Sequence, residues 1–242
     1  MSLGNTSSAV REQRAPSRVS SDDAAQALWR ELDFFPTPPW AARAIAHRIK
    51  DVDPLAVTIS DPACGMGHMA EPFGEVFGEL NVYASDVYDY GYGDVGDFLE
   101  RLASARSCSA DWIVTNPPFA KAAEFITQGL CLARRGVAVL CRLAFLESVD
   151  RYSLLFDAPN PMTALMPFAE RVPMQLGSWD PKLSTATAYA LFVFMKGAQP
   201  LPPRGFAPGT RNRFWHHDDP SRFAKPAPIP LFEKVASAPL FR

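Results

Sequence analysis

Residues 56–60, Ala-Val-Thr-Ile-Ser, run with little polar interruption into Asp61-Pro62-Ala63-Cys64-Gly65-Met66-Gly67, and helical spacing follows from Met69 to Phe77. A short run rich in β-branched residues reads as a buried strand. Strand, glycine turn and helix in that order open a doubly wound α/β sheet, in which ligands sit beyond the carboxyl ends of the strands. Gly65 and Gly67 let a ligand approach the backbone closely. The turn is not the dinucleotide fingerprint, because a third glycine is missing at the required offset and an acid, Asp61, ends the strand. A carboxylate there favours a cationic or amine-bearing ligand over a pyrophosphate. Val82-Tyr83-Ala84-Ser85-Asp86 repeats the strand ending in acid, at the distance where such folds place a ribose-binding carboxylate, so Asp86 is the ribose candidate.

A second stretch, Asp111-Trp112-Ile113-Val114-Thr115-Asn116-Pro117-Pro118-Phe119, is a buried strand stopped by two prolines. Neither proline has an N–H, yet the carbonyls of Asn116 and Pro117 remain acceptors. With the Asn116 amide oxygen and the aromatic face of Phe119, the corner suits a flat molecule carrying an exocyclic amino group. The same four residues also make an ordinary turn closing a strand.

The remaining chain frames these two turns. Residues 1–20 read as a disordered leader without an apolar period, and Leu28, Trp29 and Leu32 then lie at helical spacing. Phe35-Pro36-Thr37-Pro38 is an extended aromatic loop, and a helix starting near Pro39 buries Ala42, Ile45, Ala46 and Ile49. Asp97 beside Phe98 fits a helix N-cap. Helical spacing recurs at Ala122, Phe125, Ile126 and Leu130, followed by a buried strand at 137–143 and a short helix ending at 152–156. Residues 165–172 and 188–195 form the last two strands, able to pair as a hairpin. Between them, 173–187 is either a substrate loop or a plain surface loop. From 199 onward the chain is Pro-rich, and Arg204, Arg211, Arg213, Arg222 and Lys225 alternate with Phe206, Phe214, Trp215 and Phe223. That mixture suits phosphates and unstacked bases, or else aromatics packed on the main domain.

The net charge of −2 gives no global attraction to nucleic acid, so any such binding must come from a local patch. Cys64, Cys108, Cys131 and Cys141 show no metal-binding spacing, and His216-His217 lacks acidic or cysteine partners at ligand spacing, so no metal is expected. No apolar stretch approaches transmembrane length, and the N-terminus has no signal-peptide core; a cytoplasmic protein without membrane contact is expected.

Phe35-Pro36-Thr37-Pro38, then Asp61-Pro62-Ala63-Cys64-Gly65-Met66-Gly67, then Asn116-Pro117-Pro118-Phe119, in that order, resemble the S-adenosylmethionine-dependent DNA adenine N6-methyltransferases, in particular short forms of bacteriophages and prophages. The resemblance runs from about Asp33 to Gly197. It implies a mostly parallel, seven-stranded Rossmann-like methyltransferase sheet with an antiparallel terminal hairpin, in a domain spanning 21–198 and followed by a Pro-rich extension, 199–242. It also implies S-adenosyl-L-methionine as cofactor, with Asp61, Ala63, Gly65 and Gly67 around its methionine end and Asp86 at its ribose. Asp97 and Phe98 would flank the adenine, while Phe35, Thr37 and Pro38 would close over the methionine moiety. The catalytic corner would be Asn116, Pro117, Pro118 and Phe119, acting on a DNA adenine flipped out or unpaired, with Phe119 stacking on the base. An RNA base, a protein glutamine amide, or an inactive nucleic-acid-binding subunit are the alternatives. Family members of this motif order usually carry a sizeable target-recognition domain. Here 173–187 with the short extension, or a partner chain, would have to read the site, unless selectivity is low.

Overall fold

The computed structural model describes residues 21–101, 110–202 and 204–228; the expected leader lies outside them. Seven strands form one sheet: β1 (Ile59–Asp61), β2 (Val82–Asp86), β3 (Asp94–Val95), β4 (Trp112–Thr115), β5 (Gly136–Arg142), β6 (Ala164–Pro167) and β7 (Tyr189–Met195). Their order is β3-β2-β1-β4-β5-β7-β6. The first five run parallel and β7 is antiparallel to both β5 and β6, as the doubly wound reading requires.

Alternation along the central strands supplies two apolar faces. Trp112 and Val114 of β4, Ala138 and Leu140 of β5, and Leu191 and Val193 of β7 face α2 (Pro39–Val52) and α3 (Ala70–Phe77). Ile113, Val137, Val139, Phe192 and Phe194 face the other way, onto α4 (Ala122–Leu132) through Phe125 and Ile126. Trp40, Trp112, Phe192 and Phe194 are fully buried. Each contributes roughly 1.5–3 kcal/mol by leaving water.

Several boundaries differ from the sequence reading. The first strand is only three residues long, because the N–H groups of Val57 and Thr58 donate to the Asp111 carboxylate at 2.8 and 3.0 Å. A side chain takes the N–H groups at the start of the run, while the Thr58 carbonyl accepts from Trp112 N–H at 3.1 Å. β6 stops at Pro167 where a strand to 172 was expected. Phe168 instead bridges to Phe206 of the extension, with the two rings stacked at 3.9 Å. The two-residue β3 went unread. The turn in the 152–156 region is a π-helix, Ser153–Asp157.

Past residue 199 the chain forms two short helices, α5 (Thr210–Phe214) and α6 (Asp219–Phe223), that lie against the domain. Phe206 and Phe223 are buried, and Phe214 and Trp215 pack on the α2 side of the core. Arg222 pairs with Glu71 and Glu75, and Arg211 donates to the Pro181 carbonyl. The aromatics pack on the main domain, one of the two readings the sequence left open, and Arg211 and Arg222 hold the extension to it. In the same way 173–187 is more than a plain surface loop. Trp179 is buried, and Gly177 N–H donates to the Phe34 carbonyl at 2.9 Å.

Candidate functional site

Turns after three neighbouring strands, β2, β1 and β4, converge at the carboxyl edge of the sheet. Two residues after the helix α1 (Ser21–Glu31), Asp33 has a φ of 53°, the left-handed conformation that Asp tolerates and that reverses a chain after a helix. This reversal lays 34–38 across the turns. Together they form a cleft that is partly open to solvent. Phe35, Thr37, Asp61, Ala63, Gly65 and Asp86 line it, as do Asp97, Phe98, Asn116 and Pro118.

Pro38, Gly67, Pro117 and Phe119 do not line it. Pro38 lies at the N-cap of α2, where its carbonyl accepts from Ala41 N–H, so it anchors the loop from behind. Gly67 has φ 83° and sits beneath the Tyr92 ring, where a Cβ would come within 2.6 Å of it; its part is to let the turn form. Gly65, with φ 51°, lies beneath Phe34, and a Cβ there would meet that ring at 2.5 Å.

Two carboxylates dominate the electrostatics. Burial pushes Asp61 up to about 7, and Asp86 up to about 6. Asp86 accepts from Gly65 N–H at 2.9 Å and Tyr88 N–H at 3.1 Å, so the residue expected at a ribose also ties the glycine turn to β2. Its remaining lone pairs leave capacity for a ligand hydroxyl. Asp97 accepts from Leu99 N–H at 2.8 Å in an Asx turn, the local counterpart of the expected N-cap. Phe98 packs on Phe125 at 5.1 Å beside it.

The corner after β4 has a defined orientation. Asn116 Nδ2 donates to the Phe35 carbonyl at 2.8 Å, which fixes the amide so that Oδ1 is its acceptor end. Oδ1 is buried and without a partner among the described residues. Thr37 Oγ1, Asp61 Oδ1 and His68 Nδ1 are in the same condition, and all four belong to residues lining the cleft. Buried polar atoms are almost always paired, so four orphans in one cleft mark the place of a polar ligand.

Phe119 lies outside the cleft, its ring 5.5 Å from Phe35 and 6.2 Å from Tyr189. The Arg142 guanidinium covers it at 4.3 Å from the centroid. A base stacking on Phe119 would take the face opposite that cation or displace it. Its N–H donates to the Asp33 carboxylate, which ties the corner to the turn after α1.

The sequence reading passed over Phe34, Tyr90 and His68. Phe34 stacks on Tyr90 at 4.6 Å to roof Gly65, and its adjacency to Phe35 in an extended loop was the available clue. His216, Asp218 and Asp219 do cluster, contrary to the expectation that the histidines have no acidic neighbours at ligand spacing. Both Asp219 oxygens, however, accept from Arg43 at 2.8 and 2.9 Å, and that guanidinium opposes a cation. Cys64, Cys131 and Cys141 are free thiols, and Cys108 lies outside the described residues. Among the described residues no helix is long and apolar enough to cross a membrane.

No protein-family model matches the sequence, and no curated protein matches it. Solved structures do match in fold. One is a Pyrococcus horikoshii protein described provisionally as an RNA methyltransferase, at 16% identity and TM-score 0.54, covering 73% of this chain and 98% of that one. Another is the methyltransferase subunit of a Streptococcus thermophilus type I restriction-modification system, at 11% identity and TM-score 0.52, covering 68% of this chain and 45% of that one. The chain thus has the Rossmann-like fold of these methyltransferases.

Proposed function

We propose that the chain is an S-adenosylmethionine-dependent methyltransferase acting on the exocyclic N6 amine of adenine in DNA. The observation that carries the reading is the Asn116 amide, locked by the Phe35 carbonyl with a buried, unpartnered Oδ1, in the same cleft as Asp61 and Asp86. The donor set fits the cofactor. Asp61 can meet an ammonium, Asp86 a ribose hydroxyl, and Phe98 the face of an adenine.

Bound there, S-adenosylmethionine supplies an electrophilic methyl group on a sulfonium. The chain's part is to make an aromatic amine nucleophilic. Its lone pair is delocalised into the ring. A hydrogen bond from the amine to Asn116 Oδ1 favours a pyramidal nitrogen with the lone pair directed at the methyl, and the Pro117 carbonyl, outside the cleft lining itself, is the second acceptor that the corner offers. The target base must leave its stack to reach this corner. Among the fold's relatives, one is described as acting on RNA and one belongs to a DNA restriction system, so the acceptor polymer is tested directly. Plasmid DNA from cells expressing the protein is expected to contain N6-methyladenine above the level of a vector control in a host lacking its own adenine methylation. Unmodified DNA alongside newly methylated RNA would transfer the reading to RNA.

The cofactor's cation also gives a pH signature. Without a cation beside it Asp61 is protonated below about pH 7, whereas an ammonium requires the carboxylate. Affinity for S-adenosylhomocysteine is therefore expected to rise about tenfold from pH 6 to pH 8 and to level off above, and Asp61→Asn should abolish the slope. Calorimetric titration across that range checks it.

A further inference from the structure

His68 follows the glycine turn, is buried, and lines the cleft. Its Nε2 lies 3.0 Å from the carbonyl oxygen of Phe223 in α6. A carbonyl only accepts, so Nε2 carries the proton, and Nδ1 of a neutral ring is then an acceptor. Burial pushes the imidazole down to about 4, so it is neutral at physiological pH. Among the described residues that acceptor has no hydrogen-bond partner, and neither do Thr37 Oγ1 and Asp61 Oδ1. Three orphaned acceptors match a group with three N–H donors, an ammonium.

Resting on the methyltransferase reading, we propose that His68 Nδ1, Thr37 Oγ1 and Asp61 Oδ1 together seat the α-ammonium of the cofactor's methionine end, and that the C-terminal extension sets the histidine for this by accepting Nε2–H at Phe223. The extension is anchored firmly enough to do so. The Phe223 ring lies 5.7 Å from the imidazole, Arg222 pairs with Glu71 and Glu75 of α3, and Asp219 is gripped by Arg43 of α2. Further along, Ala227 packs with Phe34 and Tyr90 on the roof of the cleft. Phe223 is thus a positioning residue, acting through its backbone, and His68 a cofactor-binding one.

The test is calorimetric titration of the full chain with S-adenosylhomocysteine and with 5′-methylthioadenosine, which lacks the amino-acid portion. His68→Phe should lose about tenfold or more in affinity for the first and little for the second, because a hydrogen bond to a charged group is lost. His68→Gln keeps a donor for Phe223 but places no acceptor at Nδ1, and should fall with His68→Phe. His68→Asn restores an oxygen near Nδ1 but has no donor for the Phe223 carbonyl, and should recover part of the affinity. In the wild type, ¹⁵N NMR should show an unprotonated Nδ1 whose resonance moves on adding S-adenosylhomocysteine but not 5′-methylthioadenosine. Wild-type binding with all three variants unchanged would overturn the proposal alone, as would equal losses for both ligands. Absence of any wild-type binding would overturn the methyltransferase reading and the proposal with it.

Discussion

Asn116→Ala is expected to lower methyl transfer by about 10²–10³-fold while leaving S-adenosylhomocysteine affinity within a few-fold of wild type. The side chain performs two tasks. Oδ1 is the buried orphan acceptor offered to the substrate amine, and Nδ2 holds the Phe35 carbonyl at 2.8 Å. Removing the first affects only the reacting amine, so the loss should fall on turnover. Removing the second leaves the Phe35 carbonyl without that donor, which costs on the order of 1–3 kcal/mol of stability. Asn116→Asp separates the two. It keeps an acceptor but sets an oxygen against the Phe35 carbonyl, so its activity should lie between wild type and Asn116→Ala. Single-turnover transfer rates set beside ligand-binding constants check this. Equal losses in cofactor affinity and in turnover would make Asn116 a structural residue of the loop and nothing more.

Asp219→Ala is expected to cost about 3–5 kcal/mol, because it strips a bidentate partner from a guanidinium that cannot reach water. The Arg43 side chain is 3% exposed and that of Asp219 0%, with two hydrogen bonds of 2.8 and 2.9 Å between them. For a domain of this size the loss should lower Tm by roughly 10 °C. Glu75 still faces Arg43, which keeps the charge from being wholly uncompensated. Replacing both partners by apolar residues, Arg43→Met with Asp219→Leu, should recover much of the stability, since no charge then remains buried. A double-mutant cycle by thermal and urea denaturation measures the coupling. An Asp219→Ala protein as stable as wild type would show that the extension is not part of the folded unit.

The parts of the fold readable from sequence are those set by local pattern. β2 was readable because Val82–Asp86 is a short apolar-led run ended by an acid. The helix at Pro39 was readable because proline favours its first position and Ile45 and Ile49 share its buried face. What escaped was decided by partners far along the chain. Residues 57–58 read as strand, yet the Asp111 carboxylate takes their N–H groups. Residues 168–172 also read as strand, but Phe206 draws Phe168 away. For the arginines and aromatics after residue 199 the sequence left two readings open, a nucleic-acid surface or packing on the domain, since nothing local announces that Glu71 and Glu75 face Arg222, or that Arg43 lies 176 residues from its partner Asp219.

Within the cleft the same division holds. Asp61, Gly65 and Asp86 were legible because strand ends and glycine turns are where α/β folds place ligands. The loop pattern pointed to Phe35 and not to Phe34, since an extended loop presents successive side chains to opposite sides; both prove to line the cleft, with Phe34 the one over Gly65. His68 carried no mark at all. Its significance rests on one ring nitrogen meeting a carbonyl 155 residues away while the other has no partner among the described residues.

The most direct measurement supplies purified protein with S-adenosylmethionine carrying an isotopically labelled methyl group and a single-stranded oligodeoxynucleotide, then digests the product to nucleosides for mass spectrometry. The proposed chemistry predicts label in N6-methyldeoxyadenosine, none when every adenine is replaced by hypoxanthine, which lacks the exocyclic amine, and none with Asn116→Ala on the same timescale. Cofactor binding without label in any nucleoside, or label on a carbon or oxygen atom, would contradict it.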